Sequence, residues 1–236
     1  MSRSPARLDR ACLRRFARAA VVGATSAALS LGLFGACGNE VTPVPPGVAA
    51  LEVNTASDPT GTAADPHPET LEMLTGQGDD YEWVHAKGFV KRPIAEVWAA
   101  FQVPEVVVDR RKVARWTVAR DVDSSVDVSF VIGNTVEDVI DVFFEITWRQ
   151  SVVDGTIEDP ERVAMRFDKT FGTVFIEILR GSIELTPVDD DTTRVALIEH
   201  LDAAQGGIDN ALTYLRDLHG SVAAKAAGRP LPTYGE

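Results

Sequence analysis

Two carboxylates stand where acids are costly. Strict alternation along residues 174–187 puts Glu177 on the same side as Leu179, Ile183 and Leu185. Along 193–202, Glu199 in the same way shares a side with Val195, Leu197 and Leu201. A carboxylate turned into an apolar space loses its hydration and its pKa rises. It can then exchange protons near neutral pH or bind a polar group of a ligand. Glu177 and Glu199 are therefore the candidate catalytic residues. A structural account of the same pattern stays open. A bulge near Gly181 would reverse the phase of the strand, or the carboxylates would sit at a cavity mouth in water. His200, next to Glu199, is expected to face outward on the surface.

Little else in the chain suggests reaction chemistry. The histidines are His67, His85, His200 and His219, and no His-x-x-x-His pair occurs, so the sequence offers no recognisable metal site. There is no Gly-x-Ser-x-Gly elbow, no phosphate-binding Walker loop and no dinucleotide fingerprint, and no cofactor is expected. Gly206-Gly207 reads as a loop entering a helix. Trp83, Trp98, Trp116 and Trp148 have two uses open to them, stacking on a ligand ring or filling a core.

These residues must be positioned by a strand–helix–strands–helix succession. Residues 81–90 read as a strand, and Pro93 opens a helix with Ile94, Val97, Trp98 and Phe101 on one face. A shorter helix is expected over 104–109. Period-two patterns follow over 113–120, 126–132, 139–153, 162–169, 174–187 and 193–202. Residues 209–227 close the chain with Leu212, Leu215, Leu218 and Val222 on one helical stripe, followed by Gly228 and Pro230 as a stop. An apolar stripe must cover something, and the strands upstream are the available surface. The fold class is α+β: a curved antiparallel sheet of about 6–7 strands wrapped around the long C-terminal helix, with one or two short helices after the first strand.

Composition narrows the partners. The 236 residues carry a formal charge of −12. The first 37 hold six Arg against one Asp, which leaves about −17 on the rest. Such a charge repels phosphates, so nucleic acid is not an expected partner. Cys12 and Cys37 both lie near the N-terminus, so the body of the chain has no disulfide framework. Basic residues 3–18 precede an apolar run over 19–34, the pattern of a secretory signal. Residues 38–80 contain Pro43, Pro45, Pro46, Pro59, Pro66 and Pro68 and no Lys or Arg. They read as a disordered acidic tether, with room for one helical turn over 71–74. Residues 81–228 would form the folded domain and 229–236 a C-terminal tail.

Two resemblances follow from motifs. Leu33-Phe34-Gly35-Ala36-Cys37 resembles the lipobox of bacterial lipoproteins, with Phe34 in place of the usual Leu. It implies that residues 1–37 are a signal ending at a lipidated Cys37. Gly38 leans toward an outer-membrane destination in the cell envelope, with the domain in the periplasm or at the cell surface. Arg14-Arg15-Phe16 leaves general and twin-arginine export both open.

Phe89-Val90-Lys91-Arg92-Pro93-Ile94-Ala95-Glu96-Val97-Trp98, then Gly181-Ser182-Ile183-Glu184-Leu185-Thr186-Pro187 and Thr193-Arg194-Val195, resemble the START/Bet v 1-like helix-grip superfamily. Polyketide cyclases, coenzyme Q-binding proteins and lipid-transfer domains belong to it. Ile183 takes a position that is usually aromatic. The resemblance, over 81–228, implies an apolar cavity between sheet and helix. Its walls would include Phe144, Ile146, Trp148, Met165, Phe167, Leu179, Ile183, Leu185 and Leu197, with Leu212 and Leu215 on the helix side. It implies a carrier of a hydrophobic small molecule such as a lipid, quinone or polyketide-like compound, held at a membrane by the lipid on Cys37. A cyclase or hydratase using a cavity carboxylate, and a non-catalytic envelope interaction protein, are the alternatives.

Overall fold

The computed structural model describes residues 39–43, 45–137, 141–204 and 206–234. The signal segment and Cys37 lie outside them. The strands are β1 (Asn39–Val41), β2 (Leu71–Gln77), β3 (Glu82–Val90), β4 (Arg115–Arg120), β5 (Val128–Val136), β6 (Val142–Gly155), β7 (Pro160–Thr173), β8 (Ile176–Asp189) and β9 (Thr192–Ala203). The helices are α1 (Ile94–Phe101), α2 (Pro104–Val107) and α3 (Gly207–Ala226). The sheet runs β2-β3-β9-β8-β7-β6-β5-β4, every neighbour antiparallel, and β1 pairs with β7. This is the expected helix-grip arrangement with nine strands instead of 6–7. The two additional strands, β1 and β2, come from the stretch read as a tether.

The concave face of the sheet holds the core, and α3 lies across it. Leu215, Leu218 and Val222 are 1–2% exposed, and each contributes about 1.5–3 kcal/mol by leaving water. The helix packs on β3, β9 and β2 and on both short helices. Its entry is made by glycines: Gly206 and Gly207 have φ of 82° and 39°, a left-handed turn that side chains resist. Glu82 of β3 then accepts the Ile208 backbone N–H at 2.9 Å, satisfying one of the orphan donors of the first turn. Helix α1 buries Ile94, Val97, Trp98 and Phe101, the face expected from its spacing. It is fastened by Gln150, fully buried on β6, which accepts the Trp98 indole N–H at 2.8 Å and donates to the Phe101 carbonyl at 3.1 Å.

The expectation of a disordered tether over 38–80 is corrected by the structure. Residues 71–77 pair with β3 in full register, from Leu71 opposite Gly88 to Gln77 opposite Glu82. They form a strand, not a helical turn. Upstream, residues 45–58 cross the face of the sheet opposite α3. Asn54 donates to the carbonyls of both Ala86 and Leu197, at 3.0 and 2.8 Å, across the β3–β9 seam. Arg194 holds Asp58 through two bonds of 2.7 and 2.8 Å. Leu51 N–H reaches Ser182 Oγ at 3.1 Å. The segment is ordered here because polar and long side chains on that sheet face find partners in its backbone and side chains. The segment 229–234 is likewise no free tail: Arg110 donates to the Pro232 carbonyl at 3.0 Å and lies over the Tyr234 ring.

Candidate functional site

Sheet and α3 do not close completely. A cavity of about 530 Å³ remains between them, bounded also by α2 and the turn after it. Phe144, Ile146 and Trp148 of β6, Phe167 of β7 and Leu179 of β8 form walls, as expected from the alternation of those strands. Trp148 stacks on Phe167 at 4.7 Å between ring centres, giving an aromatic floor. Room for Phe167 comes from Gly181, the residue paired with it on β8, where a Cβ would collide with the ring.

Other expected wall residues are solid core. Met165, Ile183, Leu185, Leu197 and Leu215 are 0–2% exposed, packed together and absent from the cavity surface. Leu212 is half-buried at the edge of the core and also does not line it. The side of α3 that faces the cavity is turned from the expected stripe and presents Asn210, Ala211 and Tyr214. The alternation of β5 could have revealed Ile132, Asn134 and Val136, which share a face and line the cavity. Val107, Val108, Asp109 and Val113 enter from α2 and the following turn, where periodicity carries no signal.

The two candidate carboxylates part company. Glu177 is exposed. The β8–β9 pairing steps from Ile176–Ala203 directly to Ile178–Asp202, so Glu177 is the extra residue of a bulge and turns to water. The expected phase reversal thus occurs, at Glu177 itself and not near Gly181. Glu199 keeps the inward phase: it pairs with Val84 and Gly181, lines the cavity and is 2% exposed. Its Oε2 is fully enclosed and has no hydrogen-bond partner among the described residues. Burial, with a further push from the charge of Asp109, raises its pKa to about 8. At neutral pH this side chain is therefore mostly the neutral carboxylic acid.

The surrounding polar groups are mostly committed. Asp109 is raised by burial and held down in part by Arg111, which contacts it at 3.1 Å. Arg111 also reaches Asp217 at 2.7 Å. The Tyr214 hydroxyl donates to the Val107 carbonyl at 2.8 Å, and burial together with the nearby Glu199 and Asp109 charges raises its pKa well above 10. Asn134 donates to the carbonyl of Ile132 at 3.0 Å. Lys112 also lines the cavity but is exposed.

His200 is not the surface residue expected. It is 3% exposed, under the 45–58 strap and stacked at 4.3 Å on Tyr81. Glu52 of the strap lies 2.6 Å from His85 Nε2 and 3.2 Å from His200 Nε2. Thr55 donates to His85 Nδ1 through its backbone N–H at 3.0 Å, so the His85 proton sits on Nε2 and is given to Glu52. Burial lowers the His200 pKa, against the pull of Glu52. The cluster fastens the strap on the face opposite the cavity.

No protein-family model matches the chain, and no curated protein matches it in sequence. Among solved structures, the lipid transfer and protein localization domain of human StarD13 is similar at 12% identity with a TM-score of 0.48, covering 68% of this chain and 85% of that one. Human StAR-related lipid transfer protein 5 is similar at 9% identity and a TM-score of 0.45, over 69% and 82% of the two chains. A point mutant of norcoclaurine synthase from Thalictrum flavum is similar at 10% identity and a TM-score of 0.41, over 66% and 98%.

Proposed function

We propose that this protein binds a hydrophobic small molecule in the cavity between its sheet and α3, and does so at a membrane to which Cys37 tethers it. The cavity carries the first part. Its volume of about 530 Å³ falls within the range of roughly 300–1,000 Å³ typical of small-molecule pockets, and apolar walls with a few polar groups suit a greasy ligand. A void of that size left empty would forfeit packing in the middle of the core.

The lipobox-like run ending at Cys37 supports the tether, and β1 bears on its geometry. Asn39 pairs with Thr173, two residues before Phe175 on the cavity wall. Two residues of chain reach at most about 7 Å. An acyl chain on Cys37 would therefore hold the β7–β8 end of the cavity close to the bilayer, a short path for an apolar ligand. The envelope destination, with the outer membrane favoured by Gly38, belongs to the same reading.

Carriage is preferred to catalysis because the other ionisable groups beside Glu199 are already engaged, Asp109 by Arg111 and Tyr214 by the Val107 carbonyl. The Tyr214 hydroxyl points its hydrogen bond at the Val107 carbonyl, and proton relay needs a partner within hydrogen-bond reach. Native mass spectrometry of protein purified without detergent, followed by organic extraction, tests the binding. A stoichiometric apolar adduct is expected. A bare protein that also takes up no lipid, quinone or aromatic polyketide offered to it would overturn the reading. For the tether, Cys37→Ser should release the protein from the membrane fraction; unchanged partitioning would refute it.

A further inference from the structure

We propose that the ligand of this cavity carries a basic amine, and that the amine is received by Glu199 with Asp109 beside it. The inference rests on the cavity being a ligand site and adds the polar chemistry of what fills it. Its basis is one unpartnered, buried acid on the wall of a largely apolar space. Glu199 is 2% exposed, and its Oε2 points to no partner among the described residues. A buried carboxyl oxygen left unsatisfied costs about 1–3 kcal/mol or more, and such groups in native structures generally have a partner that binds there. The side chains near it do not supply one. Tyr214 donates away to Val107, Asn134 donates to Ile132, and Arg111 is engaged by Asp109 and Asp217. On the strands flanking Glu199 stand Val84 and Gly181, neither with a polar side chain. Lys112 is the remaining cation on the lining and is exposed.

The missing element is a hydrogen-bond partner for Oε2, and the two carboxyls select its kind. Asp109 lies near enough for its charge to act on Glu199. A hydroxyl would satisfy one oxygen and bring no positive charge to the two carboxyls, whose only ion pair among the described residues is with the Arg111 that Asp109 shares with Asp217. An ammonium group satisfies the oxygen and offsets both carboxyls at once, an effect magnified where water is excluded. A carboxylate or phosphate ligand would meet like charge. The apolar body of such an amine would lie along Phe144, Trp148 and Phe167.

A proton must move for the pair to form. With no cation beside it Glu199 is mostly protonated at pH 7, since burial holds it at about 8. Ammonium binding stabilises the carboxylate, so the proton leaves to solvent as the complex forms. The titratable groups whose charges act together with that of Glu199 are Asp109 from the turn after α2 and Tyr214 from α3.

Calorimetric titration with octylamine, octanol and octanoate tests the proposal, since the three share one apolar body. Octylamine should bind at least about tenfold more tightly than octanol, the equivalent of one pKa unit, and octanoate most weakly. Repeating the amine titration in buffers of different ionisation heat should show close to one proton released at pH 7. Glu199→Gln should abolish both the amine preference and the proton release while octanol still binds, which shows that the variant keeps its cavity. Asp109→Asn should reduce the preference without removing it. Equal binding of amine and alcohol, or a preference that survives Glu199→Gln, overturns the amine proposal and leaves the cavity reading standing. Binding of none of the three overturns both.

Discussion

Replacing Glu199 by Gln should stabilise the folded protein, and by more as the pH rises. The folded carboxyl is held at about 8 against 4.5 for an ordinary glutamate. Below the lower value both folded and unfolded chains carry the proton, and the group contributes no pH dependence. Between the two values the unfolded chain releases its proton while the folded chain keeps it. The folded state then binds more protons, so stability falls with rising pH. Each pH unit in that window is worth about 1.4 kcal/mol. From the two values of 4.5 and 8, wild type loses roughly 3 kcal/mol by pH 7 and up to about 5 kcal/mol above pH 8.

Gln has nearly the shape of the neutral acid and does not titrate. Urea unfolding of both proteins across a pH series would therefore give a difference near zero at about pH 4 that grows by roughly 3 kcal/mol toward pH 7. Glu52 and His200 titrate in both proteins and largely cancel in the difference. A stability difference that stays flat across the series would refute the reasoning, because it would mean that Glu199 is hydrated or partnered in the folded state.

Three further outcomes are expected. Gly181→Ala places a Cβ against the Phe167 ring. It should cost about 1–3 kcal/mol by overpacking and weaken uptake of apolar ligands; a neutral urea midpoint would contradict the tight fit. Asn54→Ala removes the donor to the Ala86 and Leu197 carbonyls. It should cost about 1–3 kcal/mol and speed amide exchange in the strap, and unchanged exchange there would show that the strap is held by other contacts. Glu52 is pushed up by partial burial but held below 4.5 overall by its hydrogen bonds from His85 and His200 and by their charge. Its stabilisation is present above that unfolded value and is lost as the pH falls through the folded one, so Glu52→Gln should flatten the acid limb of the stability curve. An acid limb identical to wild type would argue against the pair.

The scaffold was legible in the sequence because it rests on periodicity. The face of α1, most of the marked side of β6 to β9, and Leu215, Leu218 and Val222 of α3 are buried as their spacing marked, since a sheet with one covered face imposes period two and a packed helix imposes three and four. Alternation also placed Phe144, Ile146, Trp148, Phe167 and Leu179 on the concave face, where they line the cavity. It could not separate them from Met165, Ile183, Leu185 and Leu197, which point the same way but lie where sheet and helix close. That distinction depends on how far α3 stands off the sheet at each point, a property of the assembled layers.

The strap was missed for a related reason. Residues 45–58 show neither helical nor strand periodicity, and polar groups on a sheet face distant in sequence hold them in place. Ser182 lies 131 residues from Leu51, and Arg194 lies 136 from Asp58. The carboxylates make the point most sharply. Glu177 and Glu199 occupied equivalent places in alternating strands, and one extra residue in β8 sent the first to water while the second stayed inside. Local sequence determined which residues could face inward; pairing register and the separation of the layers decided which of them meet an empty space.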